Sequence, residues 1–152
     1  MKIKNSLKQK KILFFCPAFF GYEQKMKDTM IELGAEVDFF DERSVVKSYE
    51  KALLKISPSL FDKKTERYYF EILNTVKERN YDYVFFVKCD MPTGKVLSVY
   101  KETFPTAKFC LYMYDSISNI PGVEKKFKYF DRITTFDRKD SVEKGLGFRP
   151  LF

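Results

Sequence analysis

The chain contains no histidine and no tryptophan. Without histidine it loses the commonest general base, metal ligand and near-neutral titrating group together, and any Ser-His-Asp or Cys-His arrangement within its 152 residues is excluded. Cysteine is sparse: Cys16, Cys89 and Cys110 stand far apart, none in a CxxC spacing. That argues for reduced thiols in a cytoplasmic protein rather than a disulfide framework or a zinc site. Glycine is sparse as well, and neither GxGxxG nor GxxxxGK(S/T) occurs, which removes the dinucleotide and P-loop fingerprints. No apolar run approaches the ~18 residues of a membrane span. The N-terminus carries charge but lacks the apolar stretch and cleavage site of a signal peptide, so the expected location is the cytoplasm.

What is abundant is positive charge and phenyl rings. The net charge is +7, and there are 17 Phe and 10 Tyr, enough apolar surface for one packed domain. Lysines 2, 4, 8, 10 and 11 form a basic lead over residues 1–10 and its junction, whereas Asp62 to Arg79 mixes both signs as a solvated helical face does. A mixed face argues against a nucleic-acid partner, while the basic excess suits contact with an anionic membrane surface or negatively charged substrates.

From residue 11 onward the pattern alternates. Short apolar runs predict buried parallel strands at Lys11 to Cys16, Glu36 to Phe40, Tyr83 to Lys88, Lys108 to Tyr114, Asp131 to Phe136 and Phe148 to Phe152. Between them helical spacing predicts helices at Glu23 to Leu33 (closed by Gly34), from Ser44 to Ser57, from Phe61 to Arg79, from Thr93 to Phe104, a short one beginning at Pro121, and one from Asp137 to Lys144. Tyr68, Ile72, Leu73 and Val76 are the expected core residues of the third of these helices. This order implies an α/β fold: a Rossmann-like, doubly wound parallel sheet of about six strands in three α/β/α layers, forming a single domain over residues 11–152.

Chemistry is expected outside the carboxyl ends of the strands, where ligands sit in open α/β sheets. Asp41, Asp90, Asp115 and Asp137 each follow a strand. Asp is common there as a helix cap or turn former, most plainly at Asp137, whereas Asp90 and Asp115 stand before no obvious helix and are candidate bases or hydroxyl acceptors. Cys89 has no activating base in sequence and reads as an inert thiol. A phospho-acceptor receiver domain would carry acids after the first strand, where Cys16-Pro17 stand. The loop Phe19-Phe20-Gly21-Tyr22 offers flat rings either to a sugar or to the protein's own core, with Gly21 permitting an unusual backbone or a close approach.

Several strand-end segments, in order, resemble the N-terminal half of bacterial CgeB-like, lipopolysaccharide or capsule biosynthesis glycosyltransferases. They are Lys11-Ile-Leu-Phe-Phe with Phe20-Gly-Tyr22, Gly34-Ala-Glu-Val-Asp-Phe-Phe-Asp-Glu-Arg43, Tyr81-Asp-Tyr-Val-Phe-Phe-Val-Lys88, Tyr114-Asp-Ser116, Phe136-Asp-Arg138 and Gly147-Phe-Arg-Pro-Leu-Phe152. The resemblance implies a GT-B enzyme of two facing Rossmann-like domains. The acceptor would be held by this half, and the nucleotide-sugar donor by a C-terminal half absent from this chain, which alone would be inactive. It implies that Phe19, Phe20, Gly21, Tyr22, Lys88, Tyr114, Ser116 and Asn119 bind a saccharide or glycolipid acceptor at the inner face of the membrane, with Asp115 or Asp90 as base. No metal and no cofactor is expected in this chain itself. The competing reading is a non-catalytic, flavodoxin-like binding or protein-interaction module.

Overall fold

The run Ile12-Leu-Phe-Phe15 forms the middle of strand β1 (Lys11–Cys16), and from Ile12 onward every residue of that strand is buried. Successive side chains point to opposite faces of a strand, so a strand buried throughout must be covered on both faces and lie inside the sheet. The protein, seen in a computed structural model that describes residues 5–43 and 61–151, bears this out. Strands β2 (Glu36–Asp41), β3 (Tyr83–Val87), β4 (Lys108–Met113), β5 (Arg132–Thr135) and β6 (Gly147–Phe148) complete a six-stranded sheet in the order β2-β1-β3-β4-β5-β6. Every pairing is parallel. Helices pack around it, as the alternating pattern implied: a Rossmann-like α/β/α arrangement.

One face of the sheet holds the larger core. Leu13 and Phe15 of β1, Val84 and Phe86 of β3, and Phe109, Leu111 and Met113 of β4 meet helices α2 (Asp62–Val76) and α3 (Gly94–Thr103). Phe15 and Phe86 stack with centroids 4.6 Å apart; Tyr100 of α3 packs edge-on to Phe15, and Tyr69 of α2 lies tilted against both rings. Tyr69, rather than Tyr68, is the tyrosine of α2 that is fully buried; Tyr68 is half-buried. Adjacent helical residues lie about 100° apart, and an apolar stripe read from sequence admits either.

The other face carries α1 (Tyr22–Glu32), whose Met26 and Met30 pack on Ile12, Phe14 and Cys16. The expected inward stripe of α1 is there, but none of its residues is fully buried. Gly34 ends the helix with φ of +100°, and a Cβ there would stand 2.9 Å from the Lys8 backbone. Residues of the basic lead are thereby tied down: the Leu7 amide donates to the Leu33 carbonyl and the Gln9 amide to the Gly34 carbonyl.

Elsewhere the connections differ from expectation in detail. The helix expected from Ser44 to Ser57 lies outside the described residues, as does Phe152. After β4 the chain forms two 3-10 segments, Ile117–Asn119 and Val123–Tyr129, instead of an α-helix from Pro121. Gly122, with φ of +77°, starts the second of these segments. Helix α4 (Arg138–Lys144) is capped by Asp137, whose side chain accepts from the Lys139 and Asp140 amides. β6 begins at Gly147, one residue earlier than expected, and pairs over two residues only. Among the described residues no helix is long and apolar enough to cross a membrane.

The buried hydroxyls of this core link its helices to the carboxyl edge. Tyr100 donates to the Tyr69 carbonyl at 2.7 Å, and Tyr69 donates to the Glu42 carbonyl at 2.7 Å. Tyr69→Phe keeps the ring and leaves that carbonyl without its donor. The expected loss is about 1–2 kcal/mol in urea unfolding, with the slope against denaturant unchanged.

Candidate functional site at the carboxyl edge

The strand order places β2 and β3 on opposite sides of β1, so the chain reverses its winding between β1 and β3. Loops leaving two such strands diverge and open a crevice at their carboxyl ends. Four of the expected site residues gather there: Lys88, Asp90, Tyr114 and Asp115.

The turn after β3 is the unusual element. Lys88 and Cys89 both adopt left-handed backbone, φ of +76° and +61°. This aims the Cys89 and Met91 amides at the carboxyl of Glu42, each at 3.1 Å, while Lys126 donates to the Cys89 and Asp90 carbonyls at 2.9 and 3.0 Å. Glu42 is 0% exposed. Burial pushes its pKa well above the ordinary carboxyl value, Asp90's charge and a hydrogen bond with Asp90 push the same way, and the two backbone donors offset only part of this. All of this favours the protonated form of Glu42 beside Asp90.

Asp90 responds oppositely. Burial opposes its ionisation, but the hydrogen bond with Glu42 and the charges of Lys88 and Arg43 prevail and hold it below the usual carboxylate range. Its Oδ2 lies 3.2 Å from Lys88 Nζ and 3.6 Å from Arg43. Lys88, only 15% exposed, also stands 4.0 Å from Asp115 Oδ2, so one ammonium bridges the ends of β3 and β4.

Asp115 is differently engaged. Its Oδ1 accepts from the Ser116 amide (3.0 Å) and the Asn119 side chain (2.7 Å), leaving Oδ2 toward Lys88 and the crevice. Ser116 and Asn119 are thus used within the loop: Ser116 Oγ donates to Asp137 Oδ2 at 2.6 Å, which, with the two capping amides, lowers the Asp137 pKa. Asp41 accepts from the Arg43 amide in its own turn. Of the four strand-end aspartates, two face the crevice and two shape the backbone.

The aromatic loop borders this cluster. Phe20 (φ +51°) and Gly21 (φ +78°) turn the chain left-handed into α1, and the Phe19 amide donates to Glu23 at 2.9 Å. A Cβ on Gly21 would touch nothing within 4 Å, so the glycine serves the backbone angle rather than a close approach. Phe20 is 88% exposed. The Phe19 ring packs against Phe20, Tyr22 and Tyr114. Tyr114, its pKa pushed up to about 12 chiefly by burial, is a neutral hydroxyl at the site's edge.

The thiols are inert. Burial, reinforced by Glu42, Glu23 and Asp41, pushes Cys16 up to about 12, and burial raises Cys89 further from reactivity. Among the described residues no group of three or more Cys, Asp and Glu is arranged to hold a metal ion. What remains is an edge with one outward carboxylate oxygen, a bridging ammonium, a guanidinium and a row of rings. Glu42 and Lys126 escaped the sequence reading; Glu42's position after β2 was its one signal, and nothing marked Lys126. No protein-family model matches this chain, and no curated protein or solved structure matches it either.

The proton on Glu42 makes stability pH-dependent. Once pH rises past the ordinary carboxyl value, an unfolded chain releases that proton while the folded chain keeps it, so stability falls until the folded pKa is passed. Asp90 works the other way, its contribution being lost as pH falls below the ordinary carboxyl value. Glu42→Gln, which cannot ionise, removes the fall on the alkaline side and leaves the acid limb intact, as read by urea unfolding across pH. Glu42→Ala orphans the buried Cys89 amide and the half-buried Met91 amide and costs about 3 kcal/mol at neutral pH.

Proposed function

We propose that the carboxyl edge binds a saccharide, and that the chain is the acceptor-side domain of a bacterial GT-B glycosyltransferase of surface-polysaccharide (lipopolysaccharide or capsule) synthesis. The observation that carries this reading is the exposed ring loop Phe19 to Tyr22 beside the Lys88 and Asp115 pair at the crevice. Sugars present C–H faces that stack on rings and hydroxyls that donate to carboxylates, and both partners are supplied within one loop cluster. The resemblance of the strand-end segments to such enzymes supports it.

In this reading Asp115 rather than Asp90 takes the acceptor hydroxyl's proton. Asp90 is held ionised by Glu42, Lys88 and Arg43 and has one oxygen buried without a partner outside that pair, whereas Asp115 is 33% exposed with Oδ2 turned outward. Lys88, 4.0 Å from Asp115 Oδ2, would orient that carboxylate. The nucleotide-sugar donor would be held by a second α/β domain, and the acceptor, saccharide or glycolipid, would meet it at the cytoplasmic face of a membrane.

The test is saturation-transfer NMR of the chain with a panel of hexoses, N-acetylhexosamines and short oligosaccharides. At least one should bind, and Asp115→Asn or Phe20→Ala should each weaken it about tenfold, equivalent to about 1.4 kcal/mol. Absence of binding to every sugar, or affinity untouched by both substitutions, rules the reading out. Addition of nucleotide sugars to the chain alone should give no transfer.

A further inference from the structure

A parallel sheet normally has helices on both faces, because neither face of its strands is polar enough to meet water. Here one face is filled by α2, α3 and the 3-10 segment Val123–Tyr129. Of the helices among the described residues, only α1 contributes to the core of the other face, and it packs against β1 and β2. Among the described residues nothing covers that second face over β3, β4 and β5, and Phe85 and Tyr112 are half-buried there. The result is a trough of about 1050 Å³, with α1 as one wall and residues 148–151 as the other.

We propose that this trough is the docking slot for an amphipathic α-helix of a partner protein, apolar along one stripe and carrying carboxylates on its flanks. Three observations select that occupant. The first is the missing layer: a helix beside α1 is what closes such a sheet. The second is shape. Three strands about 4.8 Å apart offer a floor about 10 Å wide between outer axes, the width of a helix, and the volume equals about nine residues of helix, about 10 Å across. The third is charge. Lys25, Arg132 and Arg149 line the trough, no Asp or Glu does, and none of the three cations forms an ion pair among the described residues. A second copy of this chain, with net charge +7, would oppose that rim rather than complement it. Lys88 and Asp115 do not line this trough, but Phe19, Tyr22 and Tyr114 do, so it adjoins the proposed sugar site and shares rings with it; the peptide titration reads Arg132 and Arg149, which that site does not use.

The probes are two fluorescent helical peptides of about 16 residues with the same leucine stripe. One carries glutamates on its flanks, the other lysines at the same positions. In anisotropy titrations with the whole chain at physiological salt, the glutamate peptide should bind at least tenfold more tightly than the lysine peptide. The double variant Arg132→Glu, Arg149→Glu alters two exposed side chains and should fold normally by circular dichroism. It should reverse the preference. The proposal is overturned if neither peptide binds up to about 1 mM, or if both bind alike and the variant changes nothing. It is equally overturned if the chain self-associates through this face in sedimentation runs, or if it partitions onto phosphatidylserine vesicles with the same dependence on Arg132 and Arg149 while ignoring the peptides.

Discussion

The amides of Cys89 and Met91 both end on the buried carboxyl of Glu42, and the shape of the carboxyl edge depends on that pair of hydrogen bonds. Lys88 and Cys89 sit where L-residues with side chains are disfavoured by about 1–2 kcal/mol each. Nothing in their own chemistry favours that turn. It is held from outside, by Glu42 from the end of β2 on one side and by Lys126 from the 3-10 segment on the other. Because β2 and β3 flank β1, the bond from Glu42 reaches across the central strand and closes the base of the crevice.

The same carboxyl sets the electrostatics. A second ionised acid beside Asp90 would repel it in a poorly solvated place, so Glu42 keeps its proton and Asp90 keeps its charge. Asp90 then anchors Lys88 and Arg43, and Lys88 reaches on toward Asp115. Charges of opposite sign alternate from β2 to β4, and each cation is fixed by an acid whose ionisation state is decided beneath the surface. Cys16 and Cys89 are buried and the chain has no histidine, which leaves Asp115 as the carboxylate with an oxygen turned toward the crevice.

The sheet was legible in the sequence because each strand is an apolar run that stops at a charge or a proline, and β1 falls on the residues so predicted. The position of Asp90 and Asp115 followed from the same rule, since the end of a parallel strand determines which edge a residue occupies. Their partners did not follow. Lys and Cys are not residues that announce a left-handed turn, so the burial of Glu42 had no local mark. Lys126 binds carbonyls, which every residue possesses. The choice between Tyr68 and Tyr69 turns on one residue of helical phase. Ser116 and Asn119 look like ligand groups in sequence, and only the fold shows their hydrogen bonds turned inward to Asp137 and Asp115. That nothing among the described residues covers Phe85 and Tyr112 was equally hidden, because a covered and an uncovered strand have the same composition.

Phe20 remains in water at 88% exposure, held there by a backbone turn that Gly21 makes inexpensive and that the Glu23 bond to Phe19 braces. The backbone beneath the ring is set in advance, so covering it costs little main-chain order. Covering a phenylalanine side chain returns about 1.5–3 kcal/mol, and at a pre-ordered position more of that gain survives as affinity. The loop thus leaves hydrophobic free energy unrealised in the chain as described, in a ring that its own core does not cover.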